Sequence, residues 1–327
     1  MSPGHFVAHN WALSLAIVLL LFPLGFRDRP YIMHTSTITL ITIGYVASLR
    51  LKLSAYLLDL GHLVWAGIGA YLSTVLMIQL GMPFWANIFL LPPMVGVLAG
   101  LIAIPATRAV AVYLAIVTIS LGSLAVLFFS NIWRGVFGGT GGIWDIPGPN
   151  ALGPVVFSKP DHTQYETAYF YLALALLLLI FFVLWRIEHS RIGLTFRSIR
   201  EQAPLAEAMG INLRREKVIC FGIASAMAAA LGIFYAHYVH VVTPEAFGIG
   251  PSFVLFVYVV VGGRGHILGP AVGAISFIIL SEKLRFLELY QPFFLGLALI
   301  VFMRFIPDGI AGLGMRLAQR FKSRQLY

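Results

Sequence analysis

The chain has 327 residues, a formal net charge of +9, 59% hydrophobic residues and only 11% charged residues. Soluble domains carry about 25% charged residues, so a water-soluble globule is excluded. The excess of Lys and Arg does not point to nucleic acid, because membrane proteins gather basic residues in cytoplasmic loops against anionic lipid. The single cysteine, Cys220, excludes an intrachain disulfide and a cysteine-based metal site.

Long stretches carry no Asp, Glu, Lys or Arg, among them residues 60–107, 109–133, 167–185 and 218–244. Each exceeds or approaches the roughly 20 apolar residues that cross a hydrocarbon core. A β-barrel would instead alternate over segments of about ten residues. The expected fold is therefore all-α and polytopic, a single permease-like domain over 1–327 with about ten transmembrane helices, in a range of roughly eight to ten.

In chain order the expected spans are 10–26, 30–49, 62–80, 84–106, 110–131, 167–186, 218–241, 248–263, 267–282 and 286–305. The first lacks a preceding Lys or Arg and reads as a membrane helix, not a cleaved signal. Arg27-Asp28-Arg29-Pro30 closes it, and Gly81-Met82-Pro83 separates the third from the fourth. The Gly/Pro-rich loop 132–166 contains Gly138-Gly139-Thr140-Gly141-Gly142 and Pro147-Gly148-Pro149, and must lie in water or in a protein-enclosed space. Gly262-Gly263-Arg264-Gly265-His266 reads as a turn between two short helices.

Orientation follows from positive charge. The loop 187–217 is rich in Arg and reads as cytoplasmic, as does the tail with Arg316, Arg320, Lys322 and Arg324. Both termini then face the cytoplasm and loop 132–166 faces outside. Arg27 and Arg29 fall outside as an exception.

No Gly-x-x-x-x-Gly-Lys-[Ser/Thr] is present, so the chain carries no phosphate loop. Neither His-Glu-x-x-His nor Gly-x-Ser-x-Gly occurs, and no catalytic, cofactor or metal site is expected. Few ionisable groups fall inside the spans, whereas ion-coupled carriers place carboxylates there. The energy source is then another protein, unless the chain is a channel.

Within the charged loop, Pro204 suits the first turn of a helix and Gly210 the position just past its end. Leu205 and Met209, four apart, share one face. Residues 204–209 form a short helix with an apolar edge, which fits either a protein groove or lipid headgroups. Asp59, Gly61 and His62 lie at a helix start, as a polar element near a path or as a capping and packing cluster. Gly67, Gly69 and Ala70 read as close helix packing. Thr140, Gly141 and Gly142 fit a gate that meets a carboxylate, or an ordinary turn. His237 and His240 lack a third metal ligand nearby and read as an interfacial pair with Tyr235 and Tyr238.

Four segments carry a family resemblance. Residues 197–212, reading Arg-Ser-Ile-Arg-Glu-Gln-Ala-Pro-Leu-Ala-Glu-Ala-Met-Gly-Ile-Asn, resemble the cytoplasmic coupling segment of LivM-type permease subunits of branched-chain amino acid ABC importers. Leu60-Gly61-His62 with Gly67-Ile68-Gly69-Ala70-Tyr71, then Thr140-Gly141-Gly142, then Val260-Val261-Gly262-Gly263-Arg264-Gly265 with Leu268-Gly269-Pro270, resemble three further family segments. Asp59 stands where the family often has Ser, and Pro204 where proline is unusual. The resemblance implies a permease of the bacterial inner membrane, in contact with lipid. Its implied partners are a second, LivH-like permease subunit, two cytoplasmic ATPase subunits and a solute-binding protein outside. It implies that Pro204, Leu205, Ala206, Glu207, Ala208, Met209 and Gly210 dock on an ATPase. Asp59, Gly61, His62, Thr140, Gly141 and Gly142 are the candidate residues of a translocation path. The alternatives are an importer of urea or short amides, or a self-contained channel or ion-coupled carrier.

Overall fold

A computed structural model describes residues 22–23, 25–26, 28–107, 111–149, 162–263, 268–305, 309–310 and 312. Most of the expected first span, the turn at Arg264, part of loop 132–166 and the basic tail lie outside the described residues.

Eleven helices follow in order among the described residues: α1 (Pro30–Ser54), α2 (Leu63–Leu80), α3 (Phe84–Ala106), α4 (Ala111–Asn131), the single turn α5 (Arg134–Phe137), α6 (His162–Glu188), α7 (Arg191–Ala208), α8 (Leu213–Val239), α9 (Ile249–Gly262), α10 (Gly269–Lys283) and α11 (Gln291–Phe305). Among the described residues, seven helical stretches are long and apolar enough to cross a membrane. The chain is a polytopic helical membrane protein. Helices α10 and α11, 15 residues each, are shorter than a straight crossing requires.

α8 is the axis of the bundle and packs against α3, α2 and α1. Its small residues allow this. A Cβ added to Gly232 would lie 2.0 Å from the Ala66 carbonyl oxygen of α2, and one added to Gly222 would lie 2.9 Å from the Gly96 carbonyl of α3. In lipid, where apolar side chains gain little from leaving the solvent, such close backbone approach and the resulting dispersion contacts drive helix association. The outer faces of α3 and α4 expose Leu90, Met94, Val97, Leu124 and Leu127, the apolar belt a bilayer covers.

Two strands, β1 (Ile143–Trp144) and β2 (Val241–Val242), pair antiparallel with Ile143 opposite Val242 and Trp144 opposite Val241. They tie the glycine loop to the end of α8. The charged segment 191–208 is helical throughout except at Gln202 (φ −150°, ψ 84°).

Four boundaries differ from expectation, and one is the start of α11 at Gln291 in place of 286, where the preceding residues form a separate 3-10 stretch kinked at Glu288. α1 runs past residue 49 to Ser54, and its last turns bury Arg50 and Lys52. α6 starts at His162, ahead of 167. α8 starts at Leu213, not 218, because the Asn212 side chain accepts a hydrogen bond from the Arg215 amide at 3.0 Å and starts the helix within the charged segment.

Candidate functional site

The charged segment 188–211 is an elbow. The Ser190 side chain caps α7 by accepting from the Gly193 amide at 3.5 Å. A Cβ on Gly193 would sit 2.3 Å from the Ile187 carbonyl oxygen, so only glycine permits this turn out of α6. Phe196 and Ile199 are buried and anchor the first half of α7. Pro204 offers no N–H and its ring clashes with a carbonyl four residues back, so the helix breaks at Gln202 and restarts.

The restarted turn ends in a complete Schellman cap. Gly210, with φ +87°, donates to the Glu207 carbonyl at 2.9 Å, and Ile211 donates to the Ala206 carbonyl at 3.1 Å. Ala206 is buried against the body, while Pro204, Glu207, Ala208 and Gly210 are exposed. Leu205 is 57% exposed and Met209 78%. A rigid, capped helix turn therefore presents two large apolar side chains on one edge.

Charges join this elbow to the bundle. Glu188, the last residue of α6, accepts a hydrogen bond from Arg50 of α1 and lies 3.9 Å from the Arg197 guanidinium of α7. Three helices thus meet at one half-buried carboxylate.

Asp59, Gly61 and His62 are brought together, with Lys52 and Ser48, in a fully buried cluster. The Lys52 ammonium donates to Asp59 at 2.5 Å and lies 3.8 Å from the centre of the Phe221 ring. The other Asp59 oxygen accepts from the Gly61 amide at 2.9 Å, ahead of α2 and not from its first-turn amides. Ser48 and His62 Nε2 are 2.8 Å apart. Burial alone would raise the Asp59 carboxyl, but the Lys52 ammonium and the His62 ring hold it well below the usual carboxylate range. Burial, then the Lys52 charge, lowers His62 to about 4 against the opposing pull of Asp59.

The irregular backbone before α2 is satisfied inside the protein. Leu60 donates to the Thr118 hydroxyl at 3.1 Å and Leu63 to the Ser252 hydroxyl at 3.2 Å. A Cβ on Gly61 would lie 2.1 Å from the Thr118 carbonyl oxygen, so this break is wedged directly against α4.

Thr140, Gly141 and Gly142 sit apart from that cluster, at the far end of α8. Thr140 and Gly141 are exposed, and Gly142 backs onto Val242. Since α8 has 27 residues, about 40 Å of helix separates this loop from the elbow.

His237 and His240 fasten the loop. His237 Nδ1 donates to the Pro147 carbonyl at 2.7 Å, and Ser73 meets its Nε2 at 2.8 Å. His240 Nδ1 donates to the Ile146 carbonyl at 2.6 Å, and its Nε2 meets the Tyr165 hydroxyl. A carbonyl only accepts, so both rings carry their proton on Nδ1. All four ring nitrogens are engaged, and the pair acts as a latch on two consecutive carbonyls.

Sequence reading missed Lys52, Ser48, Thr118 and Ser252. The one available signal was the opposite charge of Lys52 and Asp59, seven residues apart across a helix end.

A family model described as "Branched-chain amino acid transport system / permease component" matches residues 32–303. The chain is 28% identical, over 84% of its own length and 68% of the relative's, to the high-affinity branched-chain amino acid transport system permease protein LivM of Escherichia coli (strain K12). It is 27% identical to the protein of the same name in Salmonella typhimurium, over 91% of this chain and 73% of that one. The LivH permease of E. coli K12 is 30% identical over 48% of this chain and 50% of its own. No solved structure matches. With the match spanning most of an all-helical membrane chain, this protein belongs to the permease-component family of branched-chain amino acid transport systems.

Proposed function

We propose that the chain is one membrane-spanning half of an ATP-driven importer for branched-chain or related small amino acids in a bacterial inner membrane. It crosses about ten times, with both termini in the cytoplasm. It pairs with a LivH-like permease, two cytoplasmic ATPase subunits and a solute-binding protein outside.

The observation that carries this reading is the exposed Leu205–Met209 edge on a capped, rigid turn. A loop helix that merely touched headgroups has no need of an anchored elbow. One that transmits force does. ATPase closure would push the 204–210 turn, and Glu188 would pass the displacement to α1 through Arg50. The bundle then alternates between outward and inward access. Asp59, Gly61 and His62 serve by holding the broken entry to α2 near the path. Thr140, Gly141 and Gly142 form the opposite end, where a binding protein would deliver its load.

The test is uptake of L-leucine by the purified complex in proteoliposomes with its cognate binding protein. Uptake should need ATP, and replacing Glu207 and Gly210 together should uncouple it without loss of membrane insertion. Uptake that persists without ATP, from a chain that carries no ATPase through purification, would replace this reading with a self-contained carrier.

A further inference from the structure

Among the described residues, five buried polar side-chain atoms lack a hydrogen-bond partner, one each on Tyr45, His62, Trp65, Asn87 and Ser225. The hydroxyl of Tyr45, a residue only 6% exposed, is buried without a hydrogen-bond partner. Leaving such a group unsatisfied costs about 1–3 kcal/mol, so its retention needs a reason. Tyr45 lines a recess of about 400 Å³ between α1, α8, α9 and the start of α2. That volume lies within the roughly 300–1,000 Å³ range of small-molecule sites.

Chemistry divides the lining in two. Thr42, Tyr45, Tyr235 and Tyr258 bring hydroxyl groups. Thr42 already donates to the Ile38 carbonyl at 2.8 Å, which leaves its oxygen free to accept. Leu63, Val254 and Leu255 form an aliphatic wall. Among the described residues, no carboxylate and no cationic side chain lines the space. Two helices begin at this recess: Leu63 opens α2, and Pro251 stands in the first turn of α9. Substrate sites of transporters sit where helices are broken inside the bundle. The recess between α1 and α10 differs, since the Glu282 carboxylate lines it.

We infer that the Tyr45 recess is a binding site for a small amphiphile of no net charge, with its aliphatic side chain against Leu63, Val254 and Leu255 and its polar end on the Tyr45 hydroxyl. A lipid chain offers Tyr45 no partner. A charged solute finds no counter-ion. A zwitterionic aliphatic amino acid differs: its carboxylate accepts from the Tyr45 hydroxyl, its ammonium donates to the Thr42 oxygen, and its side chain meets the aliphatic wall. This inference rests on the importer reading.

The experiment is ATP-driven uptake of L-leucine and L-valine by the full complex in proteoliposomes, with assembly judged by co-purification. Tyr45→Phe removes one oxygen and should lower uptake of both amino acids about fivefold, without changing their ratio. Val254→Trp fills the aliphatic half and should lower the leucine-to-valine uptake ratio at least threefold. Val254→Ala enlarges it and should raise that ratio about twofold, which decides the matter if the Trp variant does not assemble. One methylene in an apolar pocket is worth about tenfold or more in discrimination, so these ratios are conservative. Unchanged uptake and ratio in Tyr45→Phe and Val254→Ala, with a gain in thermal stability for the former, would overturn the inference alone and leave an idle buried hydroxyl. Loss of the partner permease from Val254→Trp, with an unchanged ratio in Val254→Ala, would overturn it in favour of a subunit contact. Absence of ATP-driven uptake by the unaltered complex would overturn the importer reading and the inference with it.

Discussion

The Lys52 ammonium and the Asp59 carboxylate form an ion pair at 2.5 Å with neither side chain exposed to solvent. One stands in the last turn of α1 and the other in the irregular segment before α2, so the pair pins a helix end to a chain break. Removing one partner leaves the other charge buried and uncompensated, which costs about 3–5 kcal/mol. Lys52→Met and Asp59→Leu should each lower the thermal stability of the purified protein by that amount. The double variant should recover much of the loss. Additive losses in a double-mutant cycle would show that the two charges do not interact.

His62 gives the cluster a pH dependence. Unfolded, the ring titrates near 6.5; folded, it stays neutral down to about 4. Between those values the unfolded chain binds more protons, so the stability that neutral His62 contributes is complete above pH 6.5 and is lost as pH falls toward 4. The loss is on the order of 2–3 kcal/mol. Asp59 remains ionised across this window and adds no slope of its own. Thermal melts from pH 7.5 to 4.5 should therefore flatten in His62→Gln. A slope identical to that of the native protein would mean that His62 does not hold a depressed value.

Adjacent glycines in the glycine loop should differ sharply. Gly142 has φ +75°, and its added Cβ would lie 2.1 Å from the Val242 carbonyl oxygen. Gly141 has open space around it. Gly142→Ala should break the β1–β2 pairing at a cost of at least about 2 kcal/mol, while Gly141→Ala changes stability by about 0.5 kcal/mol or less. Hydrogen exchange at Ile143 and Val242 reads the pairing directly. Equal protection in the two variants would contradict the geometry.

Legibility of the fold tracks the source of each signal. Helices α2, α3 and α4 stand within about two residues of their expected places because lipid demands long uncharged runs and Gly81 marks a clear stop. The end of α1 lies beyond the expected residue 49 because Glu188 neutralises Arg50 and Asp59, across the helix end, neutralises Lys52, so the helix carries both basic residues. No local pattern carries a pairing 138 residues apart. The 204–210 turn is legible from Pro204 and Gly210 because proline and glycine act locally on the backbone. Its continuity with 191–201 was not, since burial of Phe196 and Ile199 is a tertiary matter. Likewise His237 and His240 displayed their spacing, but not the two carbonyls they hold.

The most direct test of the central claim is made on the exposed edge of the coupling turn. Leu205 and Met209 are both more than half exposed, so Leu205→Ser with Met209→Ser should leave the melting temperature of the isolated permease nearly unchanged. ATP-dependent L-leucine uptake by the reconstituted complex should then fall at least tenfold, with loss of ATPase subunits on purification. Undiminished uptake, with the ATPase still bound, would contradict the account.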